Sequence, residues 1–386
     1  MQVEKFIPGG QALATRDDGK KVFLWNAIPG ETILDYQVNK QKSSYDEGIA
    51  TKIANPSPHR AAIKDDCYLA TSPWQILNYD YELKQKQALV VEIFREHNIP
   101  ISTPDIITDN RDYFYRNKME YSLYYSHEEQ KIYPAFHHRG SHRKLPITKS
   151  SIEHPEIFQR ALEIIDDLNR RGEDARKYNT ILLRSNESGV VSGGLFEKNK
   201  PHPTFENLTD TILGREYSYS PNGFFQINPP VYESALREIA THIATDDVLD
   251  LYAGVGTIGL SVARGKNLTL VEVDKPAYQE LRKNCIESSS KNPPCAVLAK
   301  SEEVTYYISD SQTVIVDPPR AGVEQKLINK LLEVVPPVII YLSCNPATQA
   351  RDVKLLLEKY QIKTIKTYNF FPHTPHIENL VILTRK

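Results

Sequence analysis

Val248-Leu249-Asp250-Leu251-Tyr252-Ala253-Gly254-Val255-Gly256-Thr257 runs from a short apolar strand through two glycines into the start of a helix. The glycines let backbone approach a ligand closely, and the opening turn of the helix adds partial positive charge. With Gly259 the loop also fits G-x-G-x-x-G, so the loop alone leaves both NAD and S-adenosylmethionine open. Downstream, residues 268–273 read as the next strand, ending in Val271-Glu272-Val273-Asp274. A carboxylate at that point can hydrogen-bond the ribose hydroxyls of either cofactor. Residues 275–285 read as helix, 296–298 as a weak strand and 313–316 as a clear one. Helices over 323–335 and 347–360 flank a strand at 338–342, and 362–368 and 377–383 look like closing strands. This alternation predicts a Rossmann-like α/β domain with a mixed, mostly parallel sheet, whose ligands lie at the carboxyl ends of its strands.

Two of those strand ends carry chemistry. Val316-Asp317-Pro318-Pro319-Arg320 closes a buried strand with a carboxylate and a rigid Pro-Pro turn, which can hold Asp317 facing the crevice. The next strand runs out through Ser343-Cys344-Asn345-Pro346. Cys344 thus stands between strand and helix, near a helix N-terminus, a setting that is expected to lower its thiol pKa. A lone cysteine is more often a small buried filler. Cys344 and Asp317, however, end consecutive strands on the cofactor side. Cys285 and Cys295 are expected to be structural, at a helix end and in a Pro-rich turn.

Upstream, residues 1–58 read as short strands and turns, among them 22–25 and 32–40, which suggests a small β-barrel. Asn55-Pro56-Ser57-Pro58 serves as the exit linker. A helical stripe covers 81–97, and residues 59–215 as a whole form a central α+β region. Within it, Arg111, Arg116, Lys118, Lys131, Arg139, Arg143, Lys144 and Lys149 are interleaved with Tyr113, Phe114, Tyr115, Tyr121, Tyr124 and Tyr125. Such a stretch can hold phosphates and stack bases; it also fits a half-buried sheet with solvated charges, because Asp112, Glu120, Glu128 and Glu129 dilute it. The chain of 386 residues carries 47 Lys+Arg against 49 Asp+Glu, so any polyanion site must come from local clustering rather than overall charge. Four cysteines are too few for a disulfide scaffold, and the absence of an apolar leader or spanning run suggests a soluble, cytoplasmic protein with reduced thiols.

The set FFQINPPVYESAL, LDLYAGVGTIGL, VDPPRAGV, YLSCNPATQARD and HTPHIENLVIL resembles the S-adenosylmethionine-dependent RNA 5-methyluridine (uracil-C5) methyltransferases. IPGGQALATRDDGKKVFLWNAIPGE is similar to the TRAM domain of many members, and FYRNKMEYSL to the family's central segment. The resemblance implies an RNA-binding TRAM-like barrel over 1–58, an RNA-facing region over 59–215, and a methyltransferase domain over 216–386. A helix from around 81–97 can pack on the last of these. It implies that Gln226, Tyr252, Thr257, Glu272 and Asp317 line the S-adenosylmethionine site. Cys344 would be the nucleophile and Glu378 the general base. Asp317 would help position the uracil or the methyl donor. Thr257 stands where well-known members have Asn. Some members also hold an iron–sulfur cluster on four cysteines; here Cys67 stands alone and Ser150 falls near the fourth position, so no cluster is expected. The partner would be tRNA or rRNA, with no membrane and no obligate protein partner. Two other functions stay open: RNA cytosine-C5 methylation, which shares the thiolate chemistry, and non-catalytic RNA binding or chaperoning on the same fold.

Overall fold

Every residue of strands Gln312–Val316 and Val338–Ser343 is buried, the mark of strands covered on both faces, and they lie at the centre of an eight-stranded sheet. The computed structural model describes residues 1–286 and 292–386. Across the sheet the strands run Cys295–Leu298, Asn267–Glu272, Asp247–Leu251, Gln312–Val316, Val338–Ser343, Glu378–Arg385, Tyr360–Tyr368 and Asp105–Ile107. The first five are parallel, and Glu378–Arg385 lies antiparallel to both its neighbours. This is the mixed, mostly parallel Rossmann-like sheet that the alternation predicts. Two details differ from the expected elements. Cys295 opens the edge strand Cys295–Leu298 instead of sitting in a turn. Asp105–Ile107, in a stretch with no strand period of its own, pairs with Tyr360–Tyr368 as the eighth strand.

Helix Tyr79–Glu96 starts at Asn78, whose side chain accepts from Tyr81 N at 3.0 Å, with Asp80 and Glu82 in its first turn. It packs against helix Pro346–Leu356 on the eight-stranded sheet. Its Glu82 and Lys86 are fully buried and paired at 2.8 Å. Lys86 Nζ also donates to Asn369 Oδ1 (2.6 Å) and Phe371 O (3.0 Å), and both Glu82 oxygens accept from His373 N at 3.0 Å. The helix therefore fastens residues 369–373, just upstream of Glu378.

The first 53 residues form a five-stranded sheet in the order Val3–Phe6, Ala12–Thr15, Lys21–Trp25, Tyr45–Ile53, Ile33–Gln41, whose edges meet at the isolated Gln2–Thr32 bridge. Its apolar face joins the cluster that also contains Trp74, Leu89, Val90 and one side of the eight-stranded sheet. A second five-stranded sheet, centred on Lys118–Ser126, is covered by helix Pro155–Arg170, which buries Ile157, Ala161, Ile165 and Leu168 at helical spacing. Tyr113, Tyr115 and Tyr121 of the basic-aromatic stretch are buried in this region, while Phe114 is exposed. Those tyrosines are core, not stacking platforms.

Candidate active site

The glycine loop is set by close packing beneath it. Gly256 has φ +90°, and a Cβ there would come within 2.6 Å of Leu281 Cδ1. Gly259 sits over the buried Asp250, whose Oδ2 accepts from Gly259 N at 2.8 Å; an added Cβ would meet that oxygen at 2.7 Å. Burial pushes the Asp250 carboxyl up to about 7, with the Gly259 N–H opposing. Gly254 faces open space, and its N–H donates to Glu272 Oε2 at 2.8 Å. Glu272 Oε1 takes Val273 N and Asp274 N at 2.7 and 2.6 Å. The carboxylate is thus fixed at the end of strand Asn267–Glu272, directly beside the loop.

A cavity of about 1280 Å³ runs from this loop along the strand ends. Gln226, Tyr252, Thr257, Glu272 and Asp317 all line it, Gln226 reaching it from the segment just before helix Pro229–Ala240. Cys344 and Glu378 line it as well, so all seven residues singled out in the sequence share one crevice. Asp317 directly follows strand Gln312–Val316, and Cys344 directly follows Val338–Ser343. Glu378 opens the antiparallel strand Glu378–Arg385. The pairing Ser343↔Asn379 makes Cys344 and Glu378 opposing positions at the next step of that ladder.

The electrostatics correct one expectation. Cys344 does stand at the mouth of helix Pro346–Leu356, yet burial, then Glu378 and Asp317, push its thiol up to about 11. Two carboxyl groups and a desolvated site outweigh the helix end, while the Arg320 guanidinium acts the other way. Burial also raises Asp317 to about 7. Glu378 is pushed well above the usual carboxylate range by burial and then by Asp317, with Arg320 again opposing. Arg320 is thus a neighbour of both groups in the cavity lining that the sequence pattern did not single out. Its carbonyl is held by Asn345 Nδ2 at 2.8 Å and Thr348 Oγ1 at 3.2 Å, and its Nη2 lies 3.3 Å from His376 Nδ1. His376, Phe224 and Arg184 also line the crevice and were equally missed; nothing in local spacing marks them.

Around Cys67 the neighbours do not fit a four-thiolate cluster. Asp65 and Glu153 lie close to the buried thiol, and Ser150 Oγ donates to Glu153 Oε2 at 2.6 Å. Among the described residues no helix is long and apolar enough to cross a membrane.

A doubly wound sheet with a glycine loop, an acidic second-strand end and an Asp-Pro-Pro strand end defines a chain of the Rossmann-like methyltransferase class. Residues 206–386 match the model of the tRNA (Uracil-5-)-methyltransferase family. An "Uncharacterized RNA methyltransferase" of Enterococcus faecalis is 27% identical over 430 residues, covering 95% of this chain and 93% of its own. One from Fusobacterium nucleatum is 27% identical over 456 residues, covering 100% and 95%. Among solved structures, Pyrococcus abyssi tRNA (uracil-54, C5)-methyltransferase in complex with S-adenosyl-L-homocysteine superposes with a TM-score of 0.78 at 24% identity, over 100% of both chains. The whole architecture, including the two non-catalytic sheets, is thus one that recurs.

Proposed function

We propose that this protein methylates C5 of a uridine in a structured tRNA or rRNA, with S-adenosylmethionine as donor. The observation that carries the reading is the pairing of Cys344 and Glu378 across the end of one ladder, beside Asp317 and in the glycine-loop crevice. When bound, S-adenosylmethionine supplies an electrophilic methyl group. Gln226, Tyr252, Thr257, Glu272 and Asp317 would hold it. The donor set fits: a fixed carboxylate for a ribose diol, an open glycine backbone beside it, and the apolar Val271 and Ile258 along the same wall.

Uracil C5 is too weak a nucleophile to take a methyl group unaided. Addition of Cys344 Sγ to C6 saturates the 5,6 bond and leaves an enolate, whose C5 then takes the methyl group. The hydrogen remaining on C5 leaves as a proton to the Glu378 carboxylate. Its bonding electrons re-form the 5,6 double bond as the Cys344 thiolate departs. The raised pKa of Glu378 suits it to this step, since it makes the carboxylate a stronger base than one in water. Arg320, beside both groups, favours their charged forms. The uridine must leave its stack to reach the crevice, at a cost of about a few kcal/mol. The sheet of residues 1–53 and the central region would grip the rest of the RNA.

Mass spectrometry of nucleosides from tRNA and rRNA of cells with and without the gene tests this. Loss of 5-methyluridine at one or a few positions is expected, and purified protein should restore it in vitro. Loss of 5-methylcytidine instead would replace uracil by cytosine as the target, and no change at any pyrimidine would overturn the reading.

A further inference from the structure

Lys118 and Arg184 are paired Cα to Cα across antiparallel strands Lys118–Ser126 and Tyr178–Ser185, two like charges placed directly opposite. Such a pair is destabilising unless something lies between the charges. Arg116 adds a third cation two residues upstream, its Nε donating to Lys118 O at 2.8 Å, and all three line the crevice. None of them forms an ion pair with a carboxylate among the described residues. Arg184 is 1% exposed, yet only its Nη2 has a partner, Phe225 O at 3.3 Å; Nε and Nη1 have none. The nearby Asp210 is already committed, accepting from Glu187 N at 2.7 Å and from Tyr219 Oη. Lys118 Nζ makes only long contacts, to Asn222 O and Gly223 O at 3.3 and 3.4 Å. A buried guanidinium with two unpaired donors is costly even with the Tyr219 ring 5.4 Å from it, and three adjacent cations without an ion-paired carboxylate make a site for an anion.

We propose that Arg116, Lys118 and Arg184 form an oxyanion site that takes the backbone phosphates of the RNA strand flanking the nucleotide in the crevice. The inference rests on the RNA methyltransferase reading and names part of its substrate contact. Consecutive phosphates match three adjacent cations better than the single carboxylate of the cofactor does. The same wall carries Phe224, 69% exposed, on the segment whose carbonyls face Lys118. Its free ring offers a stacking surface for a base next to those phosphates. Burial, then Arg184 and Arg116, hold the Lys118 ammonium down to about 8, with Glu120 opposing, which is the behaviour of a cation waiting for a counter-charge.

The test uses the full chain and an RNA transcript that the wild type methylates. RNA affinity is measured over a range of salt, with S-adenosyl-L-homocysteine affinity measured by calorimetry, for wild type, Lys118→Gln and Lys118→Arg. Lys118→Gln should weaken RNA binding and reduce the slope of log affinity against log salt by about 1, while Lys118→Arg keeps the wild-type slope. Both should keep wild-type affinity for S-adenosyl-L-homocysteine. In the wild type, binding phosphate must reprotonate Lys118, so RNA affinity should fall as pH rises through about 8, and Lys118→Arg should abolish that fall. This pH comparison decides the matter if Lys118→Gln does not fold. Unchanged RNA affinity, salt slope and pH dependence would overturn the site while wild-type turnover left the methyltransferase reading standing. A selective loss of S-adenosyl-L-homocysteine affinity would assign the anion to the cofactor carboxylate and equally overturn it. A wild type that methylated no RNA would count against the functional reading itself.

Discussion

Cys344 and Glu378 occupy opposing positions one step beyond the Ser343–Asn379 pair, where the antiparallel ladder between strands Val338–Ser343 and Glu378–Arg385 ends. The pairing register, rather than any nearness in sequence, puts a thiol and a carboxyl face to face. Burial and the two carboxyl groups push the thiol up to about 11, which holds Cys344 mainly as the neutral thiol at pH 7. Alkylation of Cys344 by iodoacetamide should therefore rise about tenfold per pH unit from neutrality, with no plateau below about pH 10. Glu378→Gln removes one of the charges that raise the thiol and should speed alkylation at fixed pH. A plateau near neutrality in the wild type would show a thiol already ionised.

Glu378→Gln keeps size and shape but loses the basic oxygen. The variant should still add Cys344 and transfer the methyl group once. It should then accumulate a methylated protein–RNA adduct with ordinary uridine RNA, visible on denaturing gels with labelled donor. Release of free methylated RNA at the wild-type rate would remove Glu378 as the base.

Glu272 is anchored by three backbone N–H groups and still faces the crevice. Glu272→Ala should weaken binding of S-adenosyl-L-homocysteine by tenfold to a hundredfold, from charged hydrogen bonds worth about 1.5–3 kcal/mol. Part of the loss would come from a loosened Gly254 loop. Calorimetry on the folded variant checks it, and unchanged affinity would take Glu272 out of the site.

Gly10 links the first sheet to the catalytic loop. It has φ +92°, its carbonyl accepts from Trp74 Nε1 at 2.9 Å, and a Cβ would lie 2.1 Å from Pro375 Cβ. Gly10→Ala should push the loop leading to Glu378 out of place, cutting turnover while leaving cofactor affinity intact. Gly9→Ala is the control: φ is +95° but nothing lies within 4 Å of the added Cβ. It should cost only backbone strain, about 1–3 kcal/mol of stability, and spare turnover. Equal turnover losses in the two variants would contradict this coupling.

The strands of the catalytic sheet were legible because each is a short apolar run ending in a turn or a cap, as in Thr313 to Val316 before Pro318. Their loops brought the cofactor-side residues with them. What local pattern could not reveal is whatever depends on distant packing. Strand Asp105–Ile107 exists only because Tyr360–Tyr368 offers an edge. The direction of the Cys344 shift reversed because two carboxyl groups from other strands share its burial. Arg184 lies 66 residues from Lys118 in the chain, and only the strand register makes them a pair. Tyr115 and Tyr121 look like stacking residues in the sequence but fill a core closed by a helix that starts at Pro155.

The central claim is that uracil is methylated at C5 while held on Cys344. Incubating the wild-type protein with 5-fluorouridine RNA and S-adenosylmethionine carrying a labelled methyl group tests it directly, because fluorine cannot leave C5 as a cation and the adduct is trapped. Peptide mapping should place both the RNA fragment and the methyl label on the peptide containing Cys344, and Cys344→Ala should give no adduct while still binding cofactor. An adduct that persists in Cys344→Ala, or labelled RNA released with no protein attached, would contradict the account.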